Sequence, residues 1–289
     1  MARLDGYHMM IVSKYFTLFE DFVKVEMLNK KFFKNTEKFH SNPIPLTNIN
    51  LKYFAKVETL NIYNETDDDF GYEVLTSNTT YPQNVRNLFF KVNVWYEVSY
   101  KKYVESSKAF LDKVSFKNLV LVNFKDLNSE VISPNIRVIG ERCFRYAPIT
   151  DIVIPPTVIK FKNNVFENAT RLSHISFPQT VWNIPQSMCL NCCLYSLNLS
   201  FGVTKISSFA FTNNSLSMIT LPESLEIIED MAFANNNLLK DITIPKSVKV
   251  LKENAFYKCK KLKKMKVFNK DIIENNYGIL DKINIEMYQ

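Results

Sequence analysis

The side chains best suited to covalent or metal chemistry are five cysteines and three histidines. Cys189-Leu190-Asn191-Cys192-Cys193 contains a Cys-x-x-Cys pair, the spacing of half a zinc site or of a redox dithiol. Zinc takes about four ligands. No second cysteine pair follows, and His8, His40 and His174 stand at no ligand spacing from the cluster. A histidine can also activate a nucleophile, and the register developed below brings His174 close to Asp151 and Ser196. No motif accompanies that constellation, so a polar ladder on a solvent-facing strand is the expected reading. Asp67-Asp68-Asp69 lacks the spaced ligands and the glycine of a calcium loop. Only five glycines occur, too few to suggest a loop that cradles phosphates. The expectation is therefore no metal, no cofactor and no catalytic residue, hence no enzyme.

The elements that must position these residues follow a repeat. Ile152-Val153-Ile154-Pro155, Ile175-Ser176-Phe177-Pro178, Leu197-Asn198-Leu199-Ser200, Ile219-Thr220-Leu221-Pro222, Ile242-Thr243-Ile244-Pro245 and Met265-Lys266-Val267-Phe268 share one pattern, their last positions 23, 22, 22, 23 and 23 residues apart. A degenerate copy lies at Val131-Ile132-Ser133. Three and six residues after each proline position comes an apolar pair, from Ile136/Ile139 to Val248/Leu251. Eleven residues after it stands Phe144, Phe166, Phe211, Phe233 or Phe256, with Cys189 once in their place.

A self-similar period of this length is the mark of a stacked coil. The alternating Ile-x-Ile segment has the period of a strand, proline ends it where a missing N–H does least harm, and the aromatic plugs the opposite side. No coil is stable alone. Each carries several inward apolar side chains worth about 1.5–3 kcal/mol apiece when buried, which offsets backbone ordering only when neighbours stack. The fold class expected is an α/β repeat, a solenoid with one parallel strand per 22–23-residue coil, capped by an N-terminal helical segment.

The Ile-x-Ile-Pro-x-Ser-Val-x-x-Ile, Ala-Phe and Leu-x-x-Ile pattern resembles the BspA-type leucine-rich repeats of bacterial surface antigens and of large families in parasitic protists. Residues 242–262 match it almost throughout, and the resemblance covers residues 128–268. The family pattern often has cysteine three residues after the phenylalanine. Cys192 and Cys259 stand there, while Ala147, Ala169, Asn214 and Asn236 replace it. The resemblance implies a leucine-rich-repeat solenoid with adhesion or surface-antigen roles.

In the N-terminal half, Met10, Ile11, Tyr15 and Phe16, then Phe22, Val23, Val25, Leu28 and Phe32, suit two amphipathic helices with a break near Thr17, closed by Pro43 and Pro45. The order Met-Ile-Val-Ser-Lys-Tyr-Phe followed by Asp21 to Phe33 also resembles an F-box, without its leucine-proline start. Two readings stand: a solenoid cap, or a helical module that docks a ubiquitin-ligase core. Strands at Val57 to Tyr63, Val92 to Val98 and Leu119 to Val122 read as atypical coils with polar insertions. The expected organisation is a helical cap over 1–47, atypical coils over 48–127, the regular repeats over 128–268 and a C-terminal cap over 269–289. That last stretch carries Ile272, Ile273, Ile279, Leu280, Ile283 and Ile285.

The formal charge of +7 and pI near 9.0 favour anionic partners weakly, with a dense lysine run from Lys258 to Lys266. No apolar stretch approaches the roughly 20 residues of a membrane-spanning helix. No secretory leader is apparent, and an odd cysteine count suits a reducing compartment, so a cytoplasmic location is expected, compatible with peripheral membrane or surface association. In a solenoid the outward strand residues form a concave binding face. That face is Asp151/Val153, His174/Ser176, Ser196/Asn198, Met218/Thr220, Asp241/Thr243 and Lys264/Lys266, polar at the centre and basic at its C-terminal end. It suits a protein or extended peptide with acid at one end, bound by a monomer, and no nucleic acid.

Overall fold

The computed structural model describes residues 4–72, 74, 88–105, 112–127, 131–268 and 284–287. The chain divides into two compact units, residues 1–119 and 120–289.

The first unit opens with helix α1 (Gly6–Ser13), which Asp5 caps by accepting the N–H groups of Tyr7 and His8. Helix α2 (Phe19–Leu28) follows after the expected break, with Glu20 and Asp21 in its first turn, where carboxylates complement the helix dipole. Strands β1 (Thr59–Ile62) and β2 (Lys91–Ser99) pair in parallel, Leu60 opposite Val92 and Ile62 opposite Val94. Helix α3 (Tyr100–Glu105) continues β2. Strand β3 (Val114–Leu121) lies beside β2, and its last two residues belong to the second unit. The core is an aromatic cluster of Phe22, Phe39, Phe54, Phe70, Tyr72 and Phe89 among aliphatic side chains. Buried Asn42 bridges the loop after the helices to β1, its Oδ1 accepting the Asn61 N–H and its Nδ2 donating to the Asn61 carbonyl.

The second unit is a parallel β-solenoid in which each coil carries two strands. One ladder holds the expected Ile-x-Ile segments: β5 (Asp151–Val153), β7 (His174–Ser176), β9 (Ser196–Asn198), β11 (Met218–Thr220), β13 (Asp241–Ile244) and β15 (Lys264–Val267). Parallel pairs join β5 to β7, β9 to β11 and β13 to β15, and β7 lies alongside β9 as β11 does β13. The other ladder is built around the second member of each apolar pair together with the residue before it: β4 (Val138–Ile139), β6 (Lys160–Phe161), β8 (Asn183–Ile184), β10 (Lys205–Ile206), β12 (Ile227–Ile228) and β14 (Val250–Leu251). The ends of β3, Val120 and Leu121, pair with β4. Here Gly140 passes so close to the neighbouring coil that an added Cβ would stand 2.8 Å from the Leu121 carbonyl oxygen. The degenerate copy at Val131 to Ser133 is not a strand, although Ile132 is buried.

Between the ladders, each coil turns around its buried aromatic. The rings stack, Phe124 on Phe144 on Phe166 and Phe211 on Phe233 on Phe256, with centroids 5.1–5.8 Å apart. Cys189 interrupts the column. Five corners take two left-handed residues four apart, Arg142 and Tyr146, Asn164 and Asn168, Ser187 and Asn191, Phe209 and Asn213, Met231 and Asn235, all with φ between 53° and 61°, while the corner around Phe256 has Lys258 alone at 54°. Asparagine tolerates this region better than other residues with a side chain, which accounts for its recurrence at the second position. Asn168, Asn191 and Asn213 also bond to one another, Nδ2 to Oδ1, at 2.8 and 2.7 Å.

Of the expected C-terminal cap, residues 269–283 and 288–289 lie outside the described residues. Residues 284–287 form strand β16 (Asn284–Met287), which pairs in parallel with β15, Lys266 opposite Glu286.

Candidate binding face

All twelve residues expected on the face stand on the first ladder. They alternate with buried neighbours, or with half-buried ones at Ile175 and Ile219, because side chains of a strand point to opposite sides. Ile152, Leu197, Ile242 and Met265 are buried, whereas Asp151, Val153, Ser176, Asn198, Thr220, Asp241 and Thr243 face solvent. Ser196, Lys264 and Lys266 are half-buried. The register puts Asp151 beside His174, Val153 beside Ser176, Ser196 beside Met218 and Asp241 beside Lys264. Two apolar side chains interrupt the polar surface: Val153 is 74% and Met218 66% exposed.

The basic end does not stop at β15. Strand β16 extends the ladder, and Glu286 places Oε1 2.7 Å from Lys264 Nζ. The face thus passes from Asp241 through lysine to a carboxylate. Only 20 residues separate Met287 from Val267, against 22 or 23 elsewhere, so the repeat spacing did not reveal this strand.

At the other end His174 Nδ1 lies 2.8 Å from Asp151 Oδ1 and 3.0 Å from Ser173 Oγ, while Nε2 meets the Tyr195 hydroxyl. The Tyr195 ring stands edge-on to the imidazole, centroids 4.5 Å apart. The hydroxyls that reach His174 are therefore those of Ser173 and Tyr195, and Ser196 is not among its hydrogen-bond partners. The repeat spacing gives no sign of Tyr195, which precedes its strand at the position held by Ser173, Ser217, Lys240 and Lys263 in other coils. Such a cluster presents a ring edge, a carboxylate and an imidazole to solvent, a set of hydrogen-bonding and packing groups for a ligand.

The cysteines separate by position. Cys193 is exposed, at the coil position of Arg171, Ser215, Leu238 and Lys261. Cys192 and Cys259 are buried and their thiols donate to the Phe166 and Phe233 carbonyls of the preceding coil, at 3.1 and 3.2 Å. Asn214 and Asn236 do the same with an amide, donating to Cys189 and Phe211 carbonyls at 2.8 and 3.0 Å. Their Oδ1 atoms accept the N–H groups of Leu194 and Leu216 besides. The residue three after the aromatic is thus an internal donor that ties one coil to the next, a role Ala147 and Ala169 cannot fill. Burial pushes the Cys259 thiol up to about 11, and pushes the Cys143 and Cys189 thiols up as well, Cys189 with help from neighbouring Cys192. These are poor nucleophiles. Among the described residues no group of three or more His, Cys, Asp or Glu side chains is arranged to hold a metal.

On the second ladder burial raises the Glu229 carboxyl, but the Lys205 ammonium at 2.6 Å and the Ser208 N–H and hydroxyl outweigh it and hold the carboxyl below its usual range. Among the described residues no helix is long and apolar enough to cross a membrane.

Residues 114–216 and 183–286 match the family described as BspA type leucine rich repeat region, in six copies. No curated protein matches the chain. Among solved structures, a leucine-rich repeat protein from Bacteroides ovatus is 18% identical, over 80% of this chain and 52% of its own, with a TM-score of 0.44. The T. pallidum leucine-rich repeat protein is 21% identical over 52% of this chain and 59% of its own, TM-score 0.32. The pneumococcal vaccine antigen PcpA is 16% identical over 81% of this chain and 67% of its own, TM-score 0.35. The chain spans little more than half the length of the first two.

Proposed function

Because the chain belongs to the BspA-type leucine-rich repeat family over more than half its length, we propose that it is a non-catalytic interaction module that holds a protein or extended peptide across β5, β7, β9, β11, β13 and β15. The observation that carries this reading is the parallel register of β9 with β11 and of β13 with β15, β11 lying alongside β13, which leaves Asn198, Thr220 and Thr243 exposed on one ladder with Met218 as an apolar anchor. Small polar side chains on a rigid sheet cost little entropy to bind, and an exposed methionine packs against varied surfaces. Acid on the ligand would meet Lys264 and Lys266, although Glu286 tempers that end. In the same reading the protein works as a monomer in the cytoplasm.

Photo-crosslinking tests it. A benzophenone side chain at Asn198 or Thr220 should capture a discrete protein adduct in native cells, and the same probe at Lys160 on β6 or at Trp182, just before β8, should not. Equal capture from both ladders would remove the basis for assigning this face.

A second reading rests on the first unit. Phe19, Val23, Glu26, Met27, Phe33, Thr36 and Tyr53 line a cavity of about 190 Å³, and Met27 and Phe33 are exposed beside it. In this reading the helical segment docks a larger assembly, such as a ubiquitin-ligase core, and the repeats select the target. Loss of ligase components from a pull-down on Met27→Asp with Phe33→Asp would favour it; their absence with the parent protein would exclude it.

A further inference from the structure

The charge of this chain is concentrated in its last full coils. Residues 240–268 carry ten lysines, no arginine and two acidic residues, a net +8 in a chain whose total is +7. Residues 128–239 come to −1 by the same count, seven basic against eight acidic. Five of the ten, Lys240, Lys258, Lys260, Lys261 and Lys263, lie in the connections between the aromatic corner and β13 or β15, and all five are exposed.

Stacking brings them together. The Lys263 N–H donates to the Lys240 carbonyl at 2.9 Å and the Lys260 N–H to Asn237 Oδ1, so the two coils lie side by side along this edge. Adjacent parallel strands are roughly 4.8 Å apart, so the backbones of Lys240 and Lys263 stand closer together than a Debye length of about 8 Å. Among the described residues no carboxylate forms an ion pair with any of the five. Tyr257, Leu238 and Phe268 are exposed in the same coils, and Lys258 lies over the Tyr257 ring at 5.1 Å.

We propose that this lysine edge binds an anionic lipid surface. Lysine is a hydrated point charge that responds to a field, whereas recognition of single phosphates favours the fork of arginine, of which the edge has none. Exposed tyrosine, leucine and phenylalanine beside the charges have the amphipathic character of interfacial anchors. The site is separate from the strand-face reading and stands without it.

The test uses the full chain with vesicles of phosphatidylcholine alone or with about 30% phosphatidylserine, read by co-sedimentation at low and physiological salt. Binding should require phosphatidylserine and weaken with salt. Lys258→Ala, Lys260→Ala, Lys261→Ala and Lys263→Ala together should lower the partition coefficient about a thousand-fold, at the per-lysine contribution typical of such surfaces. A variant with Lys14, Lys30, Lys52 and Lys56 changed to alanine removes the same charge from the first unit and should bind nearly as the parent does. Circular dichroism on both variants checks folding. Absence of binding to the anionic vesicles, or equal loss in the two variants, would overturn the assignment. So would capture of polyglutamate or duplex DNA by the edge with no binding to vesicles.

Discussion

Replacing Asn236 with alanine measures how much one buried amide contributes to holding the coils together. The side chain is fully buried, accepts the Leu216 N–H at 3.2 Å and donates to the Phe211 and Phe233 carbonyls at 3.0 and 2.8 Å. Alanine strands the Leu216 N–H, at a cost of about 1–3 kcal/mol. The two carbonyls each keep another donor, Asn214 Nδ2 at 3.1 Å and Cys259 Sγ at 3.2 Å, so their losses are smaller. The sum is about 2–4 kcal/mol, enough to lower a denaturation midpoint clearly. Guanidinium unfolding of the second unit, followed by circular dichroism together with exchange of the Leu216 amide, reads both the total and the local effect. Asn236→Cys should recover part of the loss, since Cys192 and Cys259 already donate from this position. Asn237→Ala, on the exposed neighbour, should change stability by no more than about 0.5 kcal/mol. If Asn236→Ala were as mild as Asn237→Ala, the inter-coil donor would have no structural importance.

Three further outcomes follow from the geometry. Native protein should react with one equivalent of an aromatic disulfide reagent, at Cys193, and with all five cysteines after denaturation; fast labelling of Cys189 or Cys259 would contradict their burial. Gly140→Ala should destabilise the second unit by about 1–3 kcal/mol through the clash with the Leu121 carbonyl, seen as a lowered melting temperature. The Glu229 carboxyl is held below its ordinary value of 4.5 in the fold, so its stabilisation is complete above that value and is lost as pH falls through the lower, folded one. Stability measured from neutral to acid pH should show this loss, and Glu229→Gln should flatten it.

The strand ladder was legible in the sequence because an inward Ile-x-Ile pair, an aromatic and a leucine each recur every 22 or 23 residues, and burial cannot tolerate a slip. The face followed from it by alternation. Other features leave a weaker trace. The left-handed corners are occupied by Phe209 and Met231 as well as by asparagine, so residue type alone does not mark them. The two-residue strands of the second ladder are too short for alternation to show. Strand β16 escapes because the connection before it is shorter than in other coils, which alters the period without altering the register. The contacts of His174 with Tyr195 depend on where an aromatic beside the strand turns its ring, which spacing does not encode. In the first unit β1 and β2 appeared where their β-branched and aromatic residues alternate, but the Asn42 bridge to β1 joins residues 19 apart in a segment without a repeat.

The measurement that bears most directly on the strand-face reading is calorimetric titration of a partner captured from Asn198 or Thr220 against the parent chain and two variants. Asn198→Trp with Thr220→Trp fills the face and should weaken binding at least about a hundred-fold, roughly 2.7 kcal/mol. Trp182→Ala with Lys160→Ala alters the other ladder and should leave the affinity within about two-fold of the parent, a difference of about 0.4 kcal/mol. Unchanged affinity in the tryptophan variant, with its fold intact, would mean that the partner binds elsewhere on the molecule.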